Sequence, residues 1–209
     1  MAFVKTRPDL LKPDVQIIGG PGYFPPTVKG SGFSAATVLV SVQSRGHLTL
    51  RSPDPTQLPA IYANYFSAEE DLQALVEGVN IVRRLARTKA YAPFYEREEV
   101  PGPEIQSVKQ LIEFLRSNVQ TMFHPVGTCK MGNDAMAVVD QHSRVHKIDN
   151  LRIVDASIMP TISSGNTNAP TIMIAEKIAE GLRKARAEPE RHPARRHSRT
   201  DLSVARAAS

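Results

Sequence analysis

The sequence predicts an α+β fold, in which helices pack on an antiparallel sheet and a strand–loop–helix unit follows. The sheet is indicated by two strand-like runs, Thr37–Val42 and His47–Arg51, whose short Gly-containing connection is typical of a hairpin. A long amphipathic helix is indicated by apolar residues at helical spacing within 67–87. The final unit is indicated by 151–182, where an apolar run, a polar Ser/Gly/Asn loop and an apolar-faced helix follow in order.

The helix boundaries are predicted from capping patterns. Ser67 is expected to cap the first long helix, with Glu70 completing a capping box. A second helix is expected over Glu104–Val119. The last helix is expected to begin at Pro170 or Thr171, because proline at a first helical position leaves no additional backbone group unpaired.

The first 37 residues are rich in proline and glycine and predict only one short strand, Val15–Ile18. The run Gly30–Ala35 matches the dinucleotide-binding pattern GxGxxA. That pattern binds a pyrophosphate only when a strand precedes it and a helix follows it. Here a Pro-rich stretch precedes it and a β-branched run follows, so we reject it as a phosphate-binding loop.

Composition indicates a globular protein. The chain has 209 residues, of which 41% are apolar and 22% charged. No apolar run approaches the roughly 20 residues of a membrane span, and the N-terminus lacks the apolar region of a signal peptide. Cys129 is the only cysteine, which excludes an internal disulfide and a cysteine-rich zinc site. We therefore predict a cytoplasmic protein without a membrane span.

The net charge of +5 belongs to one end of the chain. Residues 183–209 contain eight Lys/Arg and three Asp/Glu, whereas 1–182 contain eighteen of each sign. The segment 183–209 has no aromatic and few large apolar residues, so we predict a disordered basic tail. Non-specific attraction to polyanions is an alternative use of this tail, but we expect no nucleic-acid partner.

His124 and Asn166 are the side chains best suited to chemistry. Histidine has an unperturbed pKa of about 6.5 and serves as a general base, although His124 is also compatible with a structural residue at a strand end. Asn166 can donate an amide hydrogen to a substrate oxygen, or simply form the turn that Gly165-Asn166 suggests. No pair of histidines has metal-ligand spacing with a third ligand nearby, so we predict no metal site.

Three motifs in this part of the chain resemble one family. HPVGTCKMG (124–132), NLRIVDASIMP (150–160) and GNTNAPTIMIAEK (165–177) are similar to the C-terminal part of the glucose–methanol–choline oxidoreductases, in particular those like choline dehydrogenase. Upstream, SRGHLTLRSPDP (44–55) and residues 65–71 resemble the family's substrate domain. These enzymes are flavoproteins that oxidise alcohols, so the resemblance implies FAD as cofactor and a small-molecule alcohol as substrate.

The resemblance also implies roles for individual residues. His124 stands at the position of the catalytic histidine, and Asn166 at that of a second histidine or asparagine that holds the substrate oxygen. The helix that begins near Asn168 and Thr171 would point its N-terminus at the pyrimidine end of the flavin, where reduction leaves negative charge. Asp155 and Ala156 would line the ribityl and pyrophosphate region; without the family pattern, Asp155 would be a turn former and Asn168 a helix cap.

The family pattern divides the chain into three parts: a partial substrate-binding domain (1–122), an active-site and flavin-contacting segment (123–182) and the tail (183–209). The strand–loop–helix unit would then complete an FAD-binding domain. Minor departures are Gln43 in place of proline and Lys147 in place of glycine. The major departure is the absence of a Rossmann GxGxxG, so we expect a C-terminal fragment lacking roughly 300 residues, about one or two domains.

Two consequences follow for the isolated chain. The apolar faces of 151–154 and 170–182 are predicted to lack a cover. The FAD-binding portion would have to come from elsewhere, for example from a separately encoded chain. The alternative is a truncated, non-catalytic remnant or a module that binds a partner.

Overall fold

The computed structural model describes residues 1–22 and 30–187. Within these ranges the chain forms five strands, three α-helices and one short 3₁₀ helix. The strands are β1 (Ala2–Val4), β2 (Val15–Pro21), β3 (Phe33–Leu39), β4 (His47–Thr49) and β5 (Ala60–Tyr62). The helices are α1 (Glu69–Ala86), α2 (Val108–Asn118), the 3₁₀ helix (Ala156–Ile158) and α3 (Asn168–Ala187).

The central feature is a three-stranded antiparallel sheet with β2 in the middle. Gln16 of β2 lies opposite Phe3 of β1 and Val38 of β3. Because successive side chains of a strand point to opposite faces, Val15 belongs to the other face. There a β-carbon added to Gly78 of α1 would lie 3.3 Å from Val15, so α1 covers this face closely.

The main apolar core lies between α1 and α2. Leu72 of α1 and Leu111 of α2 are almost completely buried, and Phe66 closes the cluster ahead of α1. Burial of such side chains contributes about 1.5–3 kcal/mol each. An ion pair between Arg83 and Glu98, at 2.7 Å, attaches the segment between the helices to α1. The predicted α+β class with antiparallel strands and packed helices is therefore confirmed.

The predicted hairpin between Thr37–Val42 and His47–Arg51 is wrong. Only the start of the first run lies in β3, which pairs with β2, and the second run contains β4, which pairs with β5 in a separate two-stranded sheet. The connection is held by a distant residue, because the buried Asp71 carboxylate accepts hydrogen bonds from the backbone N–H groups of Gln43 and Ser44. This tertiary contact overrides the local turn preference.

The predicted capping box of α1 is also wrong. α1 begins at Glu69 after Ala68, which makes no side-chain capping bond. The box occurs instead on α2, where the Ser107 hydroxyl accepts from the Gln110 N–H and the Gln110 side chain accepts from the Ser107 N–H. α2 consequently begins at Val108, four residues later than predicted for Glu104.

The N-terminal region has more structure than its composition indicates. Two strands, β1 and β2, lie within residues 1–22, where only Val15–Ile18 was expected. The stretch after Gly30 enters strand β3 rather than a helix. This confirms that the GxGxxA match lacks the helix that phosphate binding requires.

The C-terminal region differs from the prediction in two ways. Leu151–Val154 is not a strand; Arg152 forms only an isolated bridge with Arg144. α3 begins at Asn168, ahead of Pro170, and continues through 183–187, which had been assigned to the tail. The rest of the predicted disordered tail lies outside the described residues.

The apolar face of α3 is uncovered, as predicted. Ile172 and Met173 are each 56% exposed, and none of the α3 residues is buried. Leu151 is likewise exposed. Within the described ranges, no helix has both the length and the apolar character needed to cross a membrane.

Candidate active site

His124 lies on the segment between α2 and the 3₁₀ helix, and backbone hydrogen bonds hold this segment in place. The Cys129 N–H donates to the Ser157 carbonyl at 3.0 Å, and the Met131 N–H to the Ile158 carbonyl at 2.8 Å. Gly127 adopts φ +87°, a conformation that favours glycine. These contacts place the half-buried His124 beside the loop that precedes α3.

The structure brings His124 and Asn166 together, although 42 residues separate them in sequence. Their closest polar atoms, Asn166 Nδ2 and His124 Nε2, are 2.8 Å apart. An amide NH₂ group can only donate, so this contact makes Nε2 the acceptor. A hydrogen-bond acceptor and a hydrogen-bond donor therefore meet at one point, while the catalytic roles of His124 and Asn166 stay predictions.

The other ring nitrogen of His124 contacts Thr167. Nδ1 is 3.0 Å from the Thr167 hydroxyl and 3.5 Å from the Thr167 backbone nitrogen. Thr167 is only 6% exposed. The Thr167 carbonyl accepts hydrogen bonds from the N–H and the hydroxyl of Thr171, at 3.0 and 2.7 Å. These two bonds form the first turn of α3. Both imidazole nitrogens are thus hydrogen-bonded to residues directly before α3, Nε2 to Asn166 and Nδ1 to Thr167.

Asn166 is in turn held from the sheet. The Gln16 side-chain amide donates to Asn166 Oδ1 at 3.3 Å. On the same sheet face, Phe3 packs beneath the loop, 3.7 Å from where a β-carbon on Gly165 would lie. The sheet therefore supports the core on the face toward α1 and the candidate site on the opposite face.

The pair can accept and orient a hydroxyl group. Asn166 is exposed and His124 is half-buried, so a small molecule can reach Nε2. A bound hydroxyl would donate to Nε2 and accept from Nδ2, replacing the direct contact. Two normal hydrogen bonds to one oxygen require the nitrogens to lie about 4.5 Å apart. Binding therefore needs the exposed Asn166 side chain to move away from the ring.

The residues predicted to contact the cofactor fall in two places. Asp155 precedes the 3₁₀ helix and its carboxylate accepts from the Ser157 N–H at 2.7 Å, so it caps that helix. Ala156 is the first residue of the same helix. Asn168 is exposed at the start of α3, and the Thr171 hydroxyl is engaged by Thr167. Their contacts to FAD stay predictions.

Sequence reasoning missed Gln16 and Thr167. Gln16 lies between Val15 and Ile17 in a short strand, where it looks like an ordinary strand residue. Thr167 follows a residue already singled out, and its side chain could have been suspected as the partner of a nearby histidine. Within 1–22 and 30–187, no group of three His, Cys, Asp or Glu side chains is placed to hold a metal ion.

Solved structures with the same fold define the class of protein. Pyridoxine 4-oxidase from Mesorbium loti matches with a TM-score of 0.79 at 29% identity, covering 88% of this chain and 37% of that one. A formate oxidase from Aspergillus oryzae RIB40, studied for its FAD modification, matches with a TM-score of 0.77 at 26% identity, covering 86% and 33%. The fold is that of a portion of larger oxidases.

The sequence comparisons identify the family. Residues 42–175 match the GMC oxidoreductase C-terminal model. An oxygen-dependent choline dehydrogenase from Pseudomonas fluorescens Pf-5 is 44% identical over 190 residues, covering 87% of this chain and 33% of the relative. Its counterpart from Escherichia coli O139:H28 is 43% identical over 196 residues, covering 90% and 34%. The chain belongs to the GMC oxidoreductase family and spans about a third of the length of these relatives.

Proposed function

We propose that this chain provides the proton-accepting part of the active site of an FAD-dependent oxidoreductase that acts on the CH–OH group of a small alcohol. The observation that carries the proposal is the 2.8 Å contact between His124 Nε2 and Asn166 Nδ2. Family membership supports the reaction class, and the relatives named choline dehydrogenase make choline the first alcohol to test.

The described residues fit the flavin end of FAD. The first N–H groups of a helix have no intrahelical partner, and at α3 they emerge beside Asn166. Ile172 and Met173 expose apolar surface on the same helix. A planar, largely apolar ring with electronegative edge atoms suits such a surface. Within the described ranges the pyrophosphate end has no comparable support, because the GxGxxA match leads into β3.

The chain's own residues would handle the proton. His124 Nε2 accepts the hydroxyl proton of the alcohol, and Asn166 Nδ2 donates a hydrogen bond to the oxygen as negative charge develops on it. Thr167 holds the ring at Nδ1 and stabilises its orientation. Bound FAD supplies the acceptor for the hydride that leaves the alcohol carbon. The alcohol thereby loses one proton and one hydride and becomes a carbonyl compound.

The test is flavin reduction by rapid mixing in the FAD-loaded enzyme. His124→Ala is expected to slow reduction by roughly 100- to 10,000-fold, the contribution of a general base. FAD content should stay near that of the wild type, because the imidazole contacts Asn166 and Thr167. Asn166→Ala should raise the activation free energy of flavin reduction by at most about 2.7–4 kcal/mol, the usual effect of losing one oxyanion-type donor.

A matched control separates catalysis from general damage. His142 is an exposed histidine whose ring is within hydrogen-bond distance of the neighbouring Gln141 side chain, away from His124 and Asn166 in sequence. His142→Ala should leave flavin reduction within a few-fold of the wild type. If His124→Ala behaved like this control, His124 would be a structural residue and the proposed function would be wrong.

A further inference from the structure

We propose that Gln16 is a positioning residue that sets the orientation of the Asn166 amide and, through it, the tautomer of His124. The inference deepens the proposed function, since it concerns the two side chains assigned to that site. It begins with burial. Gln16 is 2% exposed in the central strand of the sheet, where an amide side chain must find hydrogen-bond partners.

Hydrogen bonds connect four residues in order, and the direction of each bond limits the direction of the next: Gln16, Asn166, His124 and Thr167. Gln16 Nε2 donates to Asn166 Oδ1 at 3.3 Å and also contacts the Met1 sulfur at 2.9 Å, so its NH₂ group is used on both sides. With Oδ1 occupied by a donor, the Asn166 NH₂ group is the part that faces His124. Rotation of the Asn166 amide by 180° would bring its NH₂ group against the NH₂ group of Gln16.

This orientation decides where the proton of neutral His124 resides. A donor at Nε2 requires that Nε2 carry the lone pair, so the ring proton lies on Nδ1. Nδ1–H then donates to the Thr167 hydroxyl, 3.0 Å away. The Thr167 backbone N–H donates toward Nδ1 and favours the opposite tautomer, but at 3.5 Å it is a weaker hydrogen bond than the 2.8 Å contact of Asn166 Nδ2 with Nε2. The lone pair needed for proton transfer is thereby kept on the nitrogen that faces Asn166.

The experiment observes the tautomer directly, apart from any activity. NMR spectra that correlate the carbon-bound ring protons of histidine with the ring ¹⁵N nuclei distinguish a protonated from an unprotonated nitrogen. They are recorded on the full chain at about pH 8.5, where ordinary histidines are neutral. The His124 signals are assigned by their loss in His124→Gln. The wild type is expected to show Nδ1 protonated and Nε2 unprotonated. The opposite tautomer in the wild type would overturn the proposal.

Gln16→Met keeps the length of the side chain but removes its donor. We expect the Nε2–H tautomer to increase roughly three- to tenfold, the effect of losing one hydrogen bond that selects an orientation. Phe3→Leu is the matched control, since it alters packing beneath Gly165 on the same sheet face while leaving the Gln16 amide intact. This control should retain the wild-type tautomer.

A second variant covers the case in which Gln16→Met does not fold. Gln16→Asn keeps a polar amide in the sheet but is one methylene too short to maintain a contact already at 3.3 Å, so the same shift is expected. Folding of each variant is checked by circular dichroism. A folded Gln16 variant with the wild-type tautomer would overturn the positioning role. That result would leave His124→Ala kinetics untouched, so it would be distinct from a failure of the proposed function.

Discussion

Removal of the Asp71 carboxylate is expected to destabilise the domain more than removal of any neighbouring acid. Asp71 lies in the first turn of α1 and is 2% exposed. Its two oxygens accept from the backbone N–H groups of Gln43 and Ser44 at 2.9 and 2.7 Å. It therefore attaches the connection between the two sheets to the helix that carries the core.

The magnitude follows from these two hydrogen bonds. A hydrogen bond to a charged group contributes about 1.5–3 kcal/mol, and the interaction of a carboxylate with a helix N-terminus adds about 0.3–1 kcal/mol. Water can reach the N–H groups once the connection loosens, which returns part of the loss. We therefore expect Asp71→Ala to lower the free energy of unfolding by about 3–5 kcal/mol.

Urea unfolding followed by circular dichroism measures this difference. Glu70→Ala is the matched control, because Glu70 shares the helix turn but is exposed and makes no hydrogen bond to the connection. Glu70→Ala loses a similar interaction with the helix N-terminus but no hydrogen bond to the connection. It should therefore lower the free energy of unfolding by less than about 1 kcal/mol. If Asp71→Ala cost no more than Glu70→Ala, the tertiary contact would not hold the connection and the reasoning would fail.

Four further outcomes are expected. Gly46→Ala should open the β4–β5 sheet, because an added β-carbon would overlap the Tyr62 carbonyl oxygen; hydrogen exchange of that sheet measures it, with Gly20→Ala as a control that has open space. Burial acts to raise the pKa of Asp140, but backbone N–H groups of the following turn prevail and hold it below the usual 3.8. Its carboxylate should thus stabilise the fold at neutral pH, and the difference in unfolding free energy from Asp140→Ala should disappear as pH falls through the lowered folded-state pKa. The amides of α3 should exchange much faster than those of α1, since no α3 residue is buried; equal protection would contradict this. The 209-residue chain alone should bind FAD weakly, and micromolar affinity measured by fluorescence titration would show otherwise.

Helix α1 was predicted well because its pattern is long and strictly periodic. Its N-cap was not, since Ser67 and Glu70 match a capping box that the structure does not form. The box on α2 uses Ser107 with Gln110 and was overlooked. Short capping patterns occur often by chance, so a local pattern alone cannot distinguish the helix start that tertiary contacts select.

The sheets were the least predictable part. Thr37–Val42 and His47–Arg51 each have strand character, but strand partners are chosen by contacts far away in the sequence. The partner of β3 is β2, and that of β4 is β5, which contains only three residues. The hairpin prediction used only neighbouring residues, so it could not include the hydrogen bonds from Gln43 and Ser44 to the Asp71 carboxylate.

The candidate site was predictable as far as its motifs extend. His124 and Asn166 were singled out from the sequence, and the structure places them in contact. Gln16 lies 150 residues before Asn166, and no motif connects the two. Such a contact depends on the register of a sheet, which a single sequence does not display.

The alternation of β2 has a consequence for insertions and deletions. Val15 faces α1 and Gln16 faces Asn166, so adjacent residues serve the hydrophobic core and the candidate active site. Loss or gain of one residue within β2 would exchange their faces, burying an amide in the core and presenting an aliphatic side chain to Asn166. Length changes in the segment 5–14 leave this alternation intact. We therefore expect homologues of this chain to vary in length within the segment corresponding to 5–14 and to keep the length of β2 constant.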